Sequence, residues 1–129
     1  MFGTQSYANP SRRYAAVDTG SRVEGANPHQ LVKILFEETV QSIEATALAL
    51  GTGDDHMARE KQTRALTLLH ALESSLDFDR GGDVALSLCM IYREARSRLV
   101  ASVPEKNVVK ALSARDIVAD IAEAWGQIG

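Results

Sequence analysis

The chain is predicted to be all-α, an antiparallel four-helix bundle preceded by a short N-terminal cap helix or arm. Three observations carry this reading. Only three prolines and nine glycines occur in 129 residues, aromatics make up 5%, and the helix formers Ala, Leu, Glu and Arg are abundant. Apolar residues recur at three- and four-residue spacing in four stretches, none of which is broken by an internal glycine or proline. The connections between these stretches are short, which makes successive helices antiparallel neighbours. With 45% hydrophobic and 24% charged residues, the chain has the material for one soluble domain with its own core.

Residues 1–26 form the arm. Gly3, Pro10, Gly20 and Gly25 are scattered among Ser, Thr and Asn without a sustained period, so a mobile or surface-draped segment is expected. It carries Phe2, Tyr7, Tyr14 and Val17. Arg12, Arg13 and Arg22 outnumber Asp18 and Glu24, whereas the rest of the chain holds 11 basic and 15 acidic residues, so arm and body attract weakly.

Residues 27–129 form the bundle. At Asn27-Pro28-His29-Gln30 a helix is expected to start: Asn27 caps, Pro28 suits the first helical position, and Gln30 reaches back as in a capping box. Val32, Phe36, Val40, Ile43, Ala47 and Leu50 then form one stripe, widened by Leu31 and Leu35, and Gly51-Thr52-Gly53 ends it. Asp54 or Asp55 opens a second helix with Ala58, Ala65, Leu69, Leu72 and Leu76 on one face and Leu66 and Leu68 beside it. The run Leu76-Asp77-Phe78-Asp79-Arg80-Gly81-Gly82 joins a helix stop to a glycine restart and reads as a tight corner. Asp83 then sits in a first turn, and Ala85, Leu88, Tyr92, Ala95 and Leu99 continue the repeat. Ser102-Val103-Pro104-Glu105 is expected to cap a fourth helix carrying Val108, Leu112, Val118, Ala122 and Trp125.

Several chemistries are approached and not reached. No apolar run nears the roughly 20 residues of a membrane span, and Thr4, Gln5 and Ser6 stand where a signal peptide would be apolar, so a cytoplasmic protein is expected. The single cysteine, Cys89, lies in a helical stretch and reads as a buried thiol. Asp77 to Asp83 imitates the start of a calcium loop, but Gly81 replaces a side-chain ligand and Leu88 stands where the bidentate glutamate is required. His29, His56 and His70 show no paired metal spacing, and Gly51-Thr52-Gly53 lacks the lysine of a phosphate loop. The acidic balance and dispersed arginines provide no basic stripe for nucleic acid. Around His70 the sequence imitates a phosphotransfer histidine, yet Glu73 would repel the incoming dianion one turn away. Neither an enzyme activity nor a cofactor or metal is predicted; a phosphotransfer domain using His70 and a self-associating structural bundle remain as alternatives.

A resemblance adds what spacing alone does not. Tyr14, then Pro28-His29-Gln30-Leu31, then Leu76-Asp77-Phe78-Asp79-Arg80-Gly81-Gly82, then Tyr92, Arg98-Leu99 and Trp125, in that order and along nearly the whole chain, resemble the FliS-type flagellin secretion chaperones. Family members often follow the tyrosine of the third helix with Asp-Tyr-Met and a basic pair, whereas Arg93-Glu94-Ala95-Arg96 follows Tyr92 here. The resemblance implies an export chaperone whose client is the disordered C-terminal segment of flagellin, which becomes helical along the bundle and is thereby kept from premature polymerisation. It also implies delivery to the flagellar type III export apparatus; further flagellar regulators as partners are left open, and a homodimer is the use that the self-association alternative makes of the apolar surplus. Surplus apolar width on the second and third helices offers a groove for such a helix. The groove residues expected from this reading are Leu68, Leu69, Leu88, Ile91, Tyr92 and Leu99, with Tyr7 and Tyr14 of the arm screening them. The motif residues expected to shape the scaffold are Asn27, Pro28, His29 and Gln30 at the first cap, and Leu76, Asp77, Phe78, Gly81 and Gly82 at the corner.

Overall fold

Four helices account for most of residues 23–128, the part of the chain that the computed structural model describes: α1 (Pro28–Thr52), α2 (Asp55–Ser74), α3 (Phe78–Ser102) and α4 (Val108–Ile128). No strand occurs among the described residues. Tyr7 and Tyr14 lie outside them; of the arm only Val23 to Ala26 are described, closing in a turn in which the Ala26 amide donates to the Val23 carbonyl at 3.2 Å.

The helix ends follow from local chemistry. Asn27 Oδ1 accepts from the Gln30 amide at 2.8 Å while Gln30 Oε1 accepts from the Asn27 amide at 3.0 Å, a complete capping box with Pro28 in the first turn. Gly53 closes α1 with φ 76°, a left-handed conformation that costs glycine little. The next residue, Asp54, caps α2 through the Met57 amide at 3.0 Å. Asp77 caps α3 through the Arg80 amide at 3.0 Å, and after one turn the helix breaks at Gly82, with φ 50° and ψ −125°, before resuming.

The fourth helix begins later than its sequence suggests. Ser102 does not cap it; the core-facing repeat of α3 continues through Ala95 and Leu99 to Ser102, which is buried and donates its hydroxyl to the Leu99 carbonyl at 2.6 Å. Pro104 falls in the turn. Lys106 takes a left-handed φ of 50°, the Asn107 amide reaches the Ser102 carbonyl at 2.8 Å, and Asn107 Oδ1 caps α4 through the Lys110 amide at 3.0 Å. A local cap signal lost to the burial of one more turn of α3.

Helix α1 packs on both α2 and α4, α3 packs on α4, and the α2–α3 seam is the thinnest of the four. The core is built by Phe36, Ile43, Leu69, Leu72, Tyr92, Leu99 and Val118, with Ala65, Ala95 and Ala114 between them. On α1, Thr39, Ser42 and Thr46 are also buried, and each donates its hydroxyl to the carbonyl four residues earlier, at 2.6, 2.8 and 2.8 Å. Burial of these hydroxyls therefore leaves no donor unmatched.

The α2–α3 seam is bridged by polar groups. Glu73 accepts from Arg96 at 2.9 Å and Arg93 at 3.4 Å, and Gln62 Nε2 donates to the Leu99 carbonyl at 2.9 Å. Partial burial works against ionisation of Glu73, but the two guanidinium groups outweigh it and hold the carboxyl below its ordinary value.

Candidate partner-binding cleft

An apolar cleft of about 370 Å³ opens at the end of the bundle where α1 and α3 begin and α4 finishes. Val32 and Phe36 come from α1, Ile121 and Trp125 from α4, and Val84, Leu88 and Tyr92 from α3. The corner contributes Leu76, Asp77, Arg80 and Gly81 as its lip.

Side-chain size accounts for the opening. Phe36 lies between Tyr92, at a centroid distance of 6.5 Å, and Trp125, at 6.3 Å, both tilted. Trp125 is fixed from the other side: its Nε1 donates to the His29 carbonyl at 3.0 Å, and its ring stacks on His29 with centroids 4.7 Å apart and planes inclined by 14°. Three large rings hold α1, α3 and α4 apart here, and the space they leave is not refilled by the described chain.

Tyr92 sets the polarity of the floor. Burial pushes its phenol up to about 12, so it stays protonated and able to donate throughout the physiological range. Among the described residues no buried side-chain polar atom is left unmatched, and Tyr92 has no protein partner, so its hydroxyl keeps contact with solvent through the cleft. The cleft thus presents an apolar surface with the Tyr92 and Ser75 hydroxyls and, at the lip, the exposed Arg80 guanidinium, whose only partner among the described residues is Asp77 at 3.7 Å.

The residues expected from sequence fall into three groups. Leu88 and Tyr92 line the cleft, and Ile91, 37% exposed, is on the same helix. Leu68 is far from them: it borders a separate depression of about 310 Å³ on α2 with Lys61, Arg64 and Thr67. Leu69 and Leu99 are 0% exposed and belong to the core beneath. Both motif runs meet at the cleft end, with His29 supporting Trp125 and Leu76, Asp77 and Gly81 forming the lip, while Phe78 is 49% exposed and Gly82 sits at the break. Val84 and Ile121 were not singled out by pattern; each precedes a recognised cleft residue by four positions, the one signal that marked them.

His70 is exposed on α2, its Nε2 3.4 Å from Ser74 Oγ. No helix among the described residues is long and apolar enough to cross a membrane.

Residues 10–129 match the family described as flagellar protein FliS. The chain belongs to the FliS family. It is 30% identical over 122 residues to the flagellar secretion chaperone FliS of Salmonella typhimurium, covering 94% of this chain and 90% of that one. Identity to the flagellar secretion chaperone FliS of Vibrio cholerae is 27% over 116 residues, covering 89% and 85% of the two chains. Against the flagellar secretion chaperone FliSB of Pseudomonas aeruginosa it is 25% over 120 residues, covering 91% and 93%. Membership in FliS carries the class of activity, that of a flagellar export chaperone and not an enzyme, and it joins the resemblance read from the motifs to the bundle described above.

Proposed function

We propose that this FliS-family chain works in the cytoplasm by holding the C-terminal segment of flagellin, as a helix, with its apolar face in the cleft between α1, α3 and α4. The observation that carries the reading is the cleft itself: an apolar trough left open at one end of the bundle fits the helix-in-groove mode of recognition. Covering such a segment withholds it from polymerisation until it is delivered to the type III export apparatus. The segment orders only on contact, so part of the contact energy is spent on ordering, affinity is moderate for the area buried, and release needs no nucleotide. In this reading Tyr7 and Tyr14 of the arm compete for the same apolar surface when no client is bound.

Titration calorimetry with a peptide spanning the C-terminal segment of the cognate flagellin tests the proposal. The parent chain binds with a negative heat-capacity change; Leu88→Asp, which places a charge in the cleft, weakens binding by about tenfold or more, as expected when an unpaired charge is desolvated. Leu68→Asp, on the separate depression of α2, leaves affinity unchanged. Binding that survives Leu88→Asp and is lost with Leu68→Asp moves the client site to α2 and overturns the assignment. Light scattering of the same samples separates a peptide complex from self-association.

A further inference from the structure

We infer that Gly82 is a joint on which the one-turn segment Phe78 to Gly81 swings, so that the corner is an adjustable lip setting how far the cleft stands open.

The backbone supplies the first part of the argument. Gly82 lies inside an otherwise helical span with φ 50° and ψ −125°, close to the mirror image of an extended conformation and readily entered only by glycine. Space is not what requires glycine at this position: a Cβ built on Gly82 meets nothing within 4 Å. The requirement is therefore conformational. Because helical angles are equally open to glycine, the same residue has a second state in which Phe78 to Gly81 runs straight into the rest of α3.

Placement supplies the second part. Asp77, Arg80 and Gly81, before the break, and Val84 and Leu88, after it, line the same cleft. Rotation at Gly82 moves one wall relative to the other. The lip is lightly held: Phe78, Asp79 and Arg80 are exposed, and the Asp77–Arg80 ion pair spans 3.7 Å between exposed side chains. Its one close seat is Gly81 against Ala85, where an added Cβ would come within 2.8 Å of the Ala85 Cβ. Leu76 packs against the core and anchors the far side of the swing. Straightening at Gly82 lifts Gly81 off Ala85 and widens the cleft beyond the about 370 Å³ it has in the bent state.

The two mirror forms of one substitution separate a joint from a static corner. L-alanine at 82 disfavours the bent state and drives the lip outward, whereas D-alanine, introduced by ligation at Cys89, favours the bent state and keeps the cleft at its present width. Trp125, the sole tryptophan of the chain, lines the cleft and reports its opening by acrylamide quenching, with no partner needed. Gly82→Ala is expected to raise the quenching constant by about twofold, since a non-glycine residue rarely holds a positive φ. Gly81→Ala, which wedges the lip from Ala85, should raise it likewise, and D-alanine at 82 should leave it at or below the parent value, with cooperative thermal melting retained. Equal quenching for the L and D forms, whether unchanged or raised, overturns the joint, as does a Gly82→Ala chain that does not fold while its D counterpart quenches as the parent. Because no flagellin peptide enters the measurement, its failure is distinct from failure of the client assignment.

Discussion

The two ends of the bundle are filled with different side chains. Where α1 hands over to α2 and α3 to α4, most buried residues are small, Thr46, Ala47, Ala58, Ser102, Ala111 and Ala114, beside the larger Leu99. Small residues let helices approach closely, and the end is tied further by Lys106 to Asp55 at 3.7 Å. At the opposite end the same helices meet through Phe36, Tyr92, Trp125, Leu88 and Ile121, and an apolar cleft of about 370 Å³ remains. One fold thus has an end closed mainly by small side chains and an end whose large side chains border an apolar cleft. Side-chain volume, not helix number or hydrophobicity, makes the difference.

The largest effect should come from the residue that serves both ends of this contrast. Phe36 is 2% exposed yet borders the cleft, so Phe36→Ala is expected to cost about 3–5 kcal/mol in urea unfolding, near the lower figure if the cleft already supplies part of the cavity. A loss under about 1 kcal/mol would show that the aromatic cluster does not brace the bundle. Adding volume should distinguish the ends more sharply. Ala111→Leu, at the closed end, is expected to cost about 1–3 kcal/mol, whereas Leu88→Phe grows into open space and should cost under about 1 kcal/mol while weakening peptide binding. Equal costs at both sites would mean that the ends are not packed differently.

The smallest effect lies at the α2–α3 seam. Glu73→Gln removes the negative charge shared by Arg93 and Arg96, side chains that are 66% and 31% exposed, so a loss of about 1 kcal/mol or less is expected, shrinking with added salt. Its pH dependence has a definite sign. A carboxyl held below its ordinary 4.5 contributes stability that is fully present above that value and is lost as pH falls through the lowered one. The parent should therefore lose more stability than Glu73→Gln on acidification from about pH 5 to about pH 3, measured as urea midpoints.

Helix positions were legible in the sequence because the signals are local. The Asn27 capping box, the Gly53 stop and the Asp54 cap each act within three or four residues, and all three are formed. The start of α3 lies one turn before the glycine restart that the sequence suggests, because Asp77 caps a turn ahead of the Gly82 break. The Ser102 cap failed because burial of α3 against the bundle outweighs it, and burial is not local. The groove was harder to read. Leu68, Leu69, Leu88, Tyr92 and Leu99 all sit on apolar stripes, yet only Leu88 and Tyr92 reach the cleft; Leu69 and Leu99 are enclosed and Leu68 faces elsewhere. A stripe marks the side of a helix that meets others, and it carries no information about how closely they meet.

Composition, periodicity and the two motif runs were by themselves sufficient for the all-α class, the antiparallel order and the family. They also placed the corner, because paired glycines favour a break in the helix whatever surrounds them. Only tertiary structure decided that His29, Phe36, Tyr92 and Trp125 would meet, that small residues would gather at the other end, and that a cleft would result. The reason is physical: a helix forms through contacts three and four residues apart, whereas an opening depends on the volumes of side chains that the fold brings together from distant parts of the chain.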